Sequence, residues 1–170
     1  NADATWLSAL EARMAEHGVA VAVARLEFAG QIAGQIEAAE ETPFPKAALA
    51  LDGWLEGLLA DGVAPVDAEL QYREQLKNER RVDCHRGRAG LGVHKTDFIV
   101  THRPKAMRAD LCSTGEQKAL LVGLVLANAH LQTALKRQAP ILLMDEVAAH
   151  LDSDRRAALF ATLAALGSQC

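Results

Sequence analysis

The hydrophobic pattern of the first forty residues is helical. Apolar residues at three- and four-residue spacing predict one helix over residues 4–17, with Gly18 as its stop, and a second over residues 19–41. The first stripe consists of Trp6, Leu7, Leu10 and Met14, and the second of Leu26, Ala29, Ala33 and Ile36, with Ile32 beside it. We expect the two helices to pair as a hairpin, in which Gly30 and Gly34 allow close packing.

The middle of the chain alternates short elements with loop signals. The predicted elements are a strand at 47–51, a short helix at 54–60, a mostly polar helix at 67–85, and strands at 98–101 and 107–111. Pro65 indicates a loop, and Asp67 is the predicted N-cap of the polar helix. We place a domain boundary here, between a mainly helical segment at 1–66 and a second part at 67–170.

The last third of the chain carries the strongest pattern. A helix is predicted over residues 113–137, apolar nearly all round as far as Ala129 and therefore buried. Residues 141–146 are typical of a buried parallel strand that ends in two carboxylates. A final helix is expected over residues 152–166. Taken together, these elements predict an α/β fold.

Composition is that of a globular protein. Half of the 170 residues are hydrophobic, and we find neither a signal-peptide pattern nor an apolar run of membrane-spanning length. The three cysteines, Cys84, Cys112 and Cys170, are widely spaced and form no CxxC pair, which favours a reducing compartment. We therefore expect a cytoplasmic protein with no membrane partner.

The net charge of −4 conceals a strong asymmetry along the chain. Residues 1–70 carry 3 Lys/Arg against 12 Asp/Glu, whereas residues 71–108 carry 10 against 4. A basic island in an acidic protein is a candidate surface for a polyanion such as the DNA backbone. The candidate DNA contacts are Arg73, Lys77, Arg80, Arg81 and Arg88. The alternative is a solvated, salt-bridged surface helix.

Two local motifs in the last third have a chemical meaning. Ser113 followed by Glu116 forms a capping box, and a helix that starts in this way beside Gly115 is also a ready anion site. Asp145 and Glu146 at a strand end suit phosphate-ester hydrolysis, because one carboxylate can hold a metal while the other polarises water. Each motif alone is a common structural feature, but their order and spacing together are far more specific.

In combination these motifs resemble the C-terminal half of ABC-type ATPases. Residues 112–118 are similar to the signature motif, residues 141–146 to Walker B, and residues 149–152 to the D-loop. Cys112 replaces the usual leucine of the signature, and Thr114 replaces its first glycine.

Within that superfamily the sequence is most similar to the RecF family of DNA replication and repair ATPases. Residues 92–97 resemble that family's Gly-Pro-His-Arg-Asp-Asp segment, with Val93 and Thr96 departing from it. Tyr72-Arg73-Glu74 and the basic run after it precede this segment in the order typical of the family. The likeness covers residues 69–152 well and is loose over the first sixty residues.

The resemblance implies an incomplete ABC-type ATPase lobe, with a signature helix and a Walker B strand, joined to a mainly helical subdomain. Residues 1–66 would be a lobe II segment, and residues 67–170 would hold the basic helix and the ATPase motifs. In that family two subunits enclose ATP and Mg²⁺. Asp145 would help to hold the metal, and Glu146 would be the catalytic residue that positions water. The residues implied at the nucleotide are Ser113, Thr114, Gly115, Glu116, Gln117 and Asp152.

No Gly-x-x-x-x-Gly-Lys-[Ser/Thr] loop occurs in the sequence, so the amides that cradle a triphosphate are missing. We therefore expect a fragment of a longer ATPase that does not bind or hydrolyse ATP well alone. The implied partners are double-stranded or gapped DNA, a RecR-like recombination mediator and a second ATPase subunit. Two alternatives stay open: half of another SMC-like chromosome-associated ABC ATPase, and a non-enzymatic helical interaction module.

Overall fold

A computed structural model describes residues 3–40, 42–145, 147 and 151–167. The helices are α1 (Ala4–Ala38), α2 (Trp54–Ala60), α3 (Pro65–Arg86), α4 (Thr114–Lys136) and α5 (Ser153–Leu166). The strands are β1 (Ala47–Asp52), β2 (Asp97–His102) and β3 (Met107–Arg108). Short 3₁₀ turns lie at Val93–Lys95, Arg103–Lys105 and Ala109–Leu111. The described chain is thus mainly helical, with a small antiparallel sheet in the order β1-β2-β3, which is consistent with part of an α/β protein.

The chain forms two compact units, each built from two stretches of sequence. Unit 1 comprises residues 1–28 and 51–98, and unit 2 comprises residues 29–50 and 99–170. The core of unit 1 contains Ala15, Val19, Ala22, Leu55, Ala68, Tyr72 and Leu76. Unit 2 has one core around Phe44, Val122, Leu126, Leu159 and Leu163, and a second around Ile32, Ile36, Ala47, Leu120 and Leu131. The sequence-based boundary at residue 66 stays a prediction.

Residues Ala4–Ala38 form one helix and not a hairpin, so the predicted stop at Gly18 is wrong. Packing gives the reason: a Cβ at Gly18 would lie 2.7 Å from Cε1 of Tyr72. Glycine therefore lets the buried ring approach the backbone of α1, and that burial offsets the roughly 1 kcal/mol that glycine costs inside a helix. Gly30 and Gly34 have no such neighbour within 4 Å, so the close packing expected there is not observed.

Helix α3 begins at Pro65, two residues before the predicted start. Proline suits the first helical position, because the N–H that it lacks would have no partner there. Ala64 is the N-cap, so the prediction of Asp67 as the cap is wrong, and Asp67 instead places a negative charge in the first turn. The helix ends at Arg86 and is capped by Gly87, whose φ of 67° is in the left-handed region that favours glycine.

Helix α4 contributes to both cores of unit 2. Two different faces of the helix enter the two cores, one with Ala119, Val122 and Leu126 and the other with Leu120, Ala127 and Leu131. Leu121 is 61% exposed, so the predicted burial all round is wrong at that position. By length and composition α4 could also cross a membrane, contrary to the prediction that no run is long enough, although core helices pass the same test.

The predicted parallel strand at 141–146 is not observed in the described residues. Residues 141–144 have no regular secondary structure, and Leu143 is 95% exposed. A strand needs a neighbouring strand for its backbone hydrogen bonds, and among the described residues the strands are the three of the antiparallel sheet. Glu146, Ala148 and the first two residues of the D-loop-like segment, Ala149 and His150, lie outside the described residues.

Candidate functional site

The start of α4 is held by one carboxylate. Ser113 is the N-cap residue and forms a capping box with Glu116, as predicted. Oε2 of Glu116 accepts hydrogen bonds from the Ser113 amide at 3.0 Å and from the Ser113 hydroxyl at 2.7 Å. Oε1 of Glu116 forms an ion pair with Nζ of Lys105. Lys105 is a member of this site that the sequence motifs did not predict.

The electrostatics of this pair follow from those contacts. Hydrogen bonds from Lys105, and then from the side chain and amide of Ser113, lower the pKa of Glu116 to about 2. The same contact raises the pKa of Lys105. Both groups are therefore charged near neutral pH, and the Ser113 donors are held by a full negative charge.

The signature-like segment is exposed at the position where a ligand could reach it. Ser113, Thr114 and Gly115 are all exposed, and a Cβ at Gly115 would meet nothing within 4 Å. By contrast, Nε2 of Gln117 donates to the carbonyl oxygens of Cys112 at 3.0 Å and Asp110 at 3.4 Å. The glutamine amide therefore holds the turn that leads into the helix, while the residues before it stay open to solvent.

Cys112 shows why a small apolar residue can stand where the signature motif usually has leucine. Its side chain is 8% exposed, and Sγ lies 3.4 Å from the carbonyl oxygen of Arg108. Cysteine behaves here as a small buried hydrophobe with a weak donor.

The other predicted nucleotide residues are not linked to the start of α4 by hydrogen bonds or ion pairs within the described part of the chain. Asp145 is exposed, and Asp152 caps α5, where its Oδ1 accepts the Arg155 amide at 2.8 Å. The described residues contain no group of three or more His, Cys, Asp or Glu side chains that could hold a metal. The predicted catalytic Glu146 lies outside the described residues.

The predicted DNA contacts fall into two sets. Arg80 forms a fork with Glu11 and Ser8: its Nη2 lies 2.7 Å from Oε2 of Glu11 and 2.8 Å from the Ser8 hydroxyl. Hydrogen bonding to Glu11, which is 7% exposed, also raises the pKa of Arg80. The donors of Arg80 therefore join α3 to α1. The other set remains exposed and consists of Arg73, Lys77, Arg81 and Arg88.

Thr96 departs from the RecF-like Gly-Pro-His-Arg-Asp-Asp pattern. Its side chain contacts a residue that the sequence analysis did not identify as a partner. The Thr96 hydroxyl lies 2.9 Å from both carboxylate oxygens of Glu56, whose side chain is 1% exposed. Arg25 lies 3.5 Å from the same carboxylate and donates to the Val93 carbonyl at 2.6 Å. An aspartate at position 96 would set a second carboxylate against Glu56, so threonine suits this chain because it donates.

Comparison with known proteins places the chain among relatives of bacterial DNA replication and repair proteins. It is 53% identical over 169 residues to one from Brucella abortus (strain 2308), 51% identical over 168 residues to one from Rhizobium etli (strain CIAT 652), and 49% identical over 168 residues to one from Mesorhizobium japonicum. All three relatives are named RecF, and the chain is homologous to the C-terminal part of these RecF proteins.

The matches cover 98% of this chain but only 44% of each relative, so the chain spans less than half the length of the curated relatives that it matches. No family model matches the chain, and no solved structure does so.

Proposed function

We propose that this chain is the signature- and Walker B-bearing part of a RecF-type DNA replication and repair ATPase. Such a protein would bind DNA, dimerise with ATP and load the recombination machinery at gaps. The observation that carries the proposal is the start of α4, where Ser113 and Gly115 are exposed at the end of a helix whose buried residues lie in its middle turns, between Ala119 and Leu131. The homology to RecF proteins over 98% of the chain supports it.

In this proposal Ser113 and Gly115 contact the terminal phosphate of ATP held by a second subunit. The backbone amides at the start of α4 and its positive dipole end suit an anion. Glu146 orients the attacking water and accepts its proton, and Asp152 lies at the junction of the two subunits. Hydrolysis then reopens the dimer.

Asp145 is the proposed ligand of Mg²⁺. It is exposed and belongs to no group of three or more His, Cys, Asp or Glu side chains among the described residues. One hard oxygen ligand suits Mg²⁺ when nucleotide phosphates and waters complete an octahedron. The metal would neutralise charge on the phosphates. The part of the protein that binds those phosphates would be a P-loop outside this sequence.

The segment before Asp145 supports membership in a larger protein. Ile141 is 71% exposed and Leu143 is 95% exposed, although four consecutive apolar residues are typical of a buried strand. We propose that residues 141–146 form the Walker B strand when the remainder of a RecF-length protein supplies the neighbouring strands. The relatives are long enough for this, since the match covers only 44% of their length.

The proposed partners follow from the same family. DNA, double-stranded or gapped, would contact the exposed basic residues of α3 and the loop after it, among them Arg73, Lys77, Arg81 and Arg88. We assign Arg80 to the support of that surface, because its Nε and Nη2 atoms donate to Glu11 and Ser8. A RecR-like mediator would be the protein partner, and the setting would be the cytoplasm.

The decisive test uses a full-length RecF-type protein that contains this chain. Glu146→Gln should bind ATP and fail to hydrolyse it, so the dimer should accumulate in sedimentation velocity with ATP and Mg²⁺. Glu27→Gln is a matched control, because Glu27 is an exposed carboxylate on α1. If Glu146→Gln dimerised no more than the control, the proposed catalytic role would be rejected. Absence of a P-loop upstream in the gene would reject the ATPase proposal as a whole.

A further inference from the structure

Unit 2 contains a polar cleft of about 720 Å³ beside the start of α4. The side chains of Lys46, Arg103, Lys105 and Arg155 line it, together with the carboxylates of Glu37 and Glu116. Four basic groups against two acidic ones give the lining a net positive charge. None of the exposed residues Ser113, Thr114 or Gly115 is part of this lining.

Two of the four basic side chains are neutralised within the cleft. Arg103 forms an ion pair with Glu37, and Lys105 forms one with Glu116. The hydrogen bond from Arg103, with a further contribution from Lys46, lowers the pKa of Glu37. These pairs fix the two carboxylates, which leaves the charge of the cleft to the other two cations.

Lys46 and Arg155 donate to neutral acceptors. Nζ of Lys46 lies 3.3 Å from the Glu37 carbonyl oxygen, and Nε of Arg155 lies 3.2 Å from the Pro43 carbonyl oxygen. Nη1 of Arg155 also forms an ion pair with the exposed Asp152 carboxylate, at a distance of 3.6 Å that is too long for a hydrogen bond. An ammonium has three donors and a guanidinium five. Both side chains therefore retain charge and donors for a ligand.

His102 supplies an independent sign of a ligand. The residue lines the cleft and is only 6% exposed, yet its Nδ1 is buried without a hydrogen-bond partner among the described residues. Buried polar atoms nearly always have a partner, so an unsatisfied one in a polar cleft requires an explanation. A bound oxygen atom would satisfy this nitrogen if the imidazole turned toward the cleft, because Nδ1 has almost no solvent-accessible surface in its present orientation.

We propose that this cleft binds a phosphate group, with Lys46 and Arg155 as its charged contacts and His102 as a third hydrogen-bonding group. Phosphate offers several acceptor oxygens and a full negative charge, which suit arginine and lysine donors. The phosphate can belong to a nucleotide or to a nucleic-acid backbone. The site does not depend on the ATP contact proposed for Ser113.

Titration of the 170-residue chain with inorganic pyrophosphate tests the site, by calorimetry and by NMR of the His102 imidazole nitrogens. Lys46→Gln and Arg155→Gln should each weaken binding about tenfold or more, as expected for the loss of a charge-assisted hydrogen bond. Arg156→Gln is the matched control, because Arg156 is an exposed arginine one residue further along α5 and does not line the cleft. That control should leave the affinity within about twofold.

Further ligands distinguish the source of the phosphate. ATP binding tighter than tripolyphosphate would support a nucleotide, whereas a short DNA duplex binding tighter than pyrophosphate would support a nucleic-acid backbone. Equal affinities would support recognition of phosphate alone. In each case Lys46→Gln must weaken binding.

The proposal would be overturned by the absence of saturable pyrophosphate binding, or by equal losses in Arg155→Gln and Arg156→Gln. It would also be overturned if pyrophosphate shifted the Ser113 amide and not His102, or if Ser113→Ala abolished binding, because the anion would then lie at the helix start. This NMR readout needs no variant. Failure here leaves the Ser113 role proposed for the full-length ATPase intact.

Discussion

Replacing Gly18 by alanine tests why α1 is one helix. The added methyl carbon would lie 2.7 Å from Cε1 of Tyr72 and 3.5 Å from Cδ1 of Leu55. The ring has little room to retreat, since Tyr72 is 2% exposed and a Cβ at Gly92 would lie 2.5 Å from the tyrosine oxygen. Trp54 packs against the same ring, with centroids 6.0 Å apart.

Two opposing effects set the change in the free energy of unfolding that Gly18→Ala should cause. Alanine gains about 1 kcal/mol over glycine inside a helix, whereas overpacking a buried site typically costs about 1–3 kcal/mol. Gly18→Ala should therefore lower the free energy of unfolding by up to about 2 kcal/mol. Gly30→Ala is the matched control on the same helix, because the added methyl meets nothing within 4 Å. It should raise the free energy of unfolding by up to about 1 kcal/mol.

Urea unfolding followed by circular dichroism measures both variants. With a slope of about 2 kcal/mol per molar urea, the two midpoints should differ by about 1 M. Tyr72→Leu removes the ring, so Gly18→Ala should no longer be destabilising in that background. If Gly18→Ala in the wild-type background raised stability as much as Gly30→Ala, the close approach of Tyr72 would not be the reason for the glycine.

Three further predictions concern the hydrogen-bonded carboxylates. Because the folded-state pKa of Glu116 is lowered from 4.5 to about 2, its contribution to stability is present above pH 4.5 and is lost as pH falls towards 2. Glu116→Gln should therefore reduce the fall in melting temperature with decreasing pH in that window. Glu74→Gln, at an exposed position, should leave that fall unchanged. Thr96→Val removes the hydroxyl donor from the buried Glu56 and should lower the free energy of unfolding by about 1–3 kcal/mol in chemical denaturation. Thr162→Val is the control, because the Thr162 hydroxyl donates within its own helix, and it should lower the free energy of unfolding by less. Equal losses in the two variants would refute the role of Thr96. Arg80→Gln should lower the melting temperature by several degrees, because it leaves Glu11 buried without its ion-pair partner. Arg81→Gln, at an exposed position, should have little effect. Equal melting temperatures for the two variants would contradict a stabilising contact between Arg80 and Glu11.

Sequence patterns predicted correctly those helices and strands that are determined by residues close together in the chain. The start of α4 could be found because Ser113 and Glu116 form a capping box within one turn, and α5 because Asp152 caps it and Gly167 ends it. Strand β2 was also predicted, from a run of branched and aromatic residues. In each case the interacting residues lie close together in the sequence.

Features that depend on distant residues were missed. Gly18 was interpreted as a helix stop because Tyr72, whose close packing explains the glycine, lies far away in the sequence. Residues 141–146 read as a buried strand, because four apolar residues are typical of one, whereas a strand also needs a partner that the described residues do not provide. In the same way, nothing near Glu56 in the sequence indicated that Thr96 would lie against it.

The way in which Glu116 caps α4 has a consequence for any incoming ligand. The carboxylate already accepts hydrogen bonds from the amide and the hydroxyl of Ser113. An external anion can therefore bind these two donors only by displacing the carboxylate from them. Lys105 can retain the displaced carboxylate, since it already holds its other oxygen. Occupancy of Ser113 would thus be transmitted to the 3₁₀ turn that carries Lys105, and the empty site would stay capped and ordered between rounds of binding.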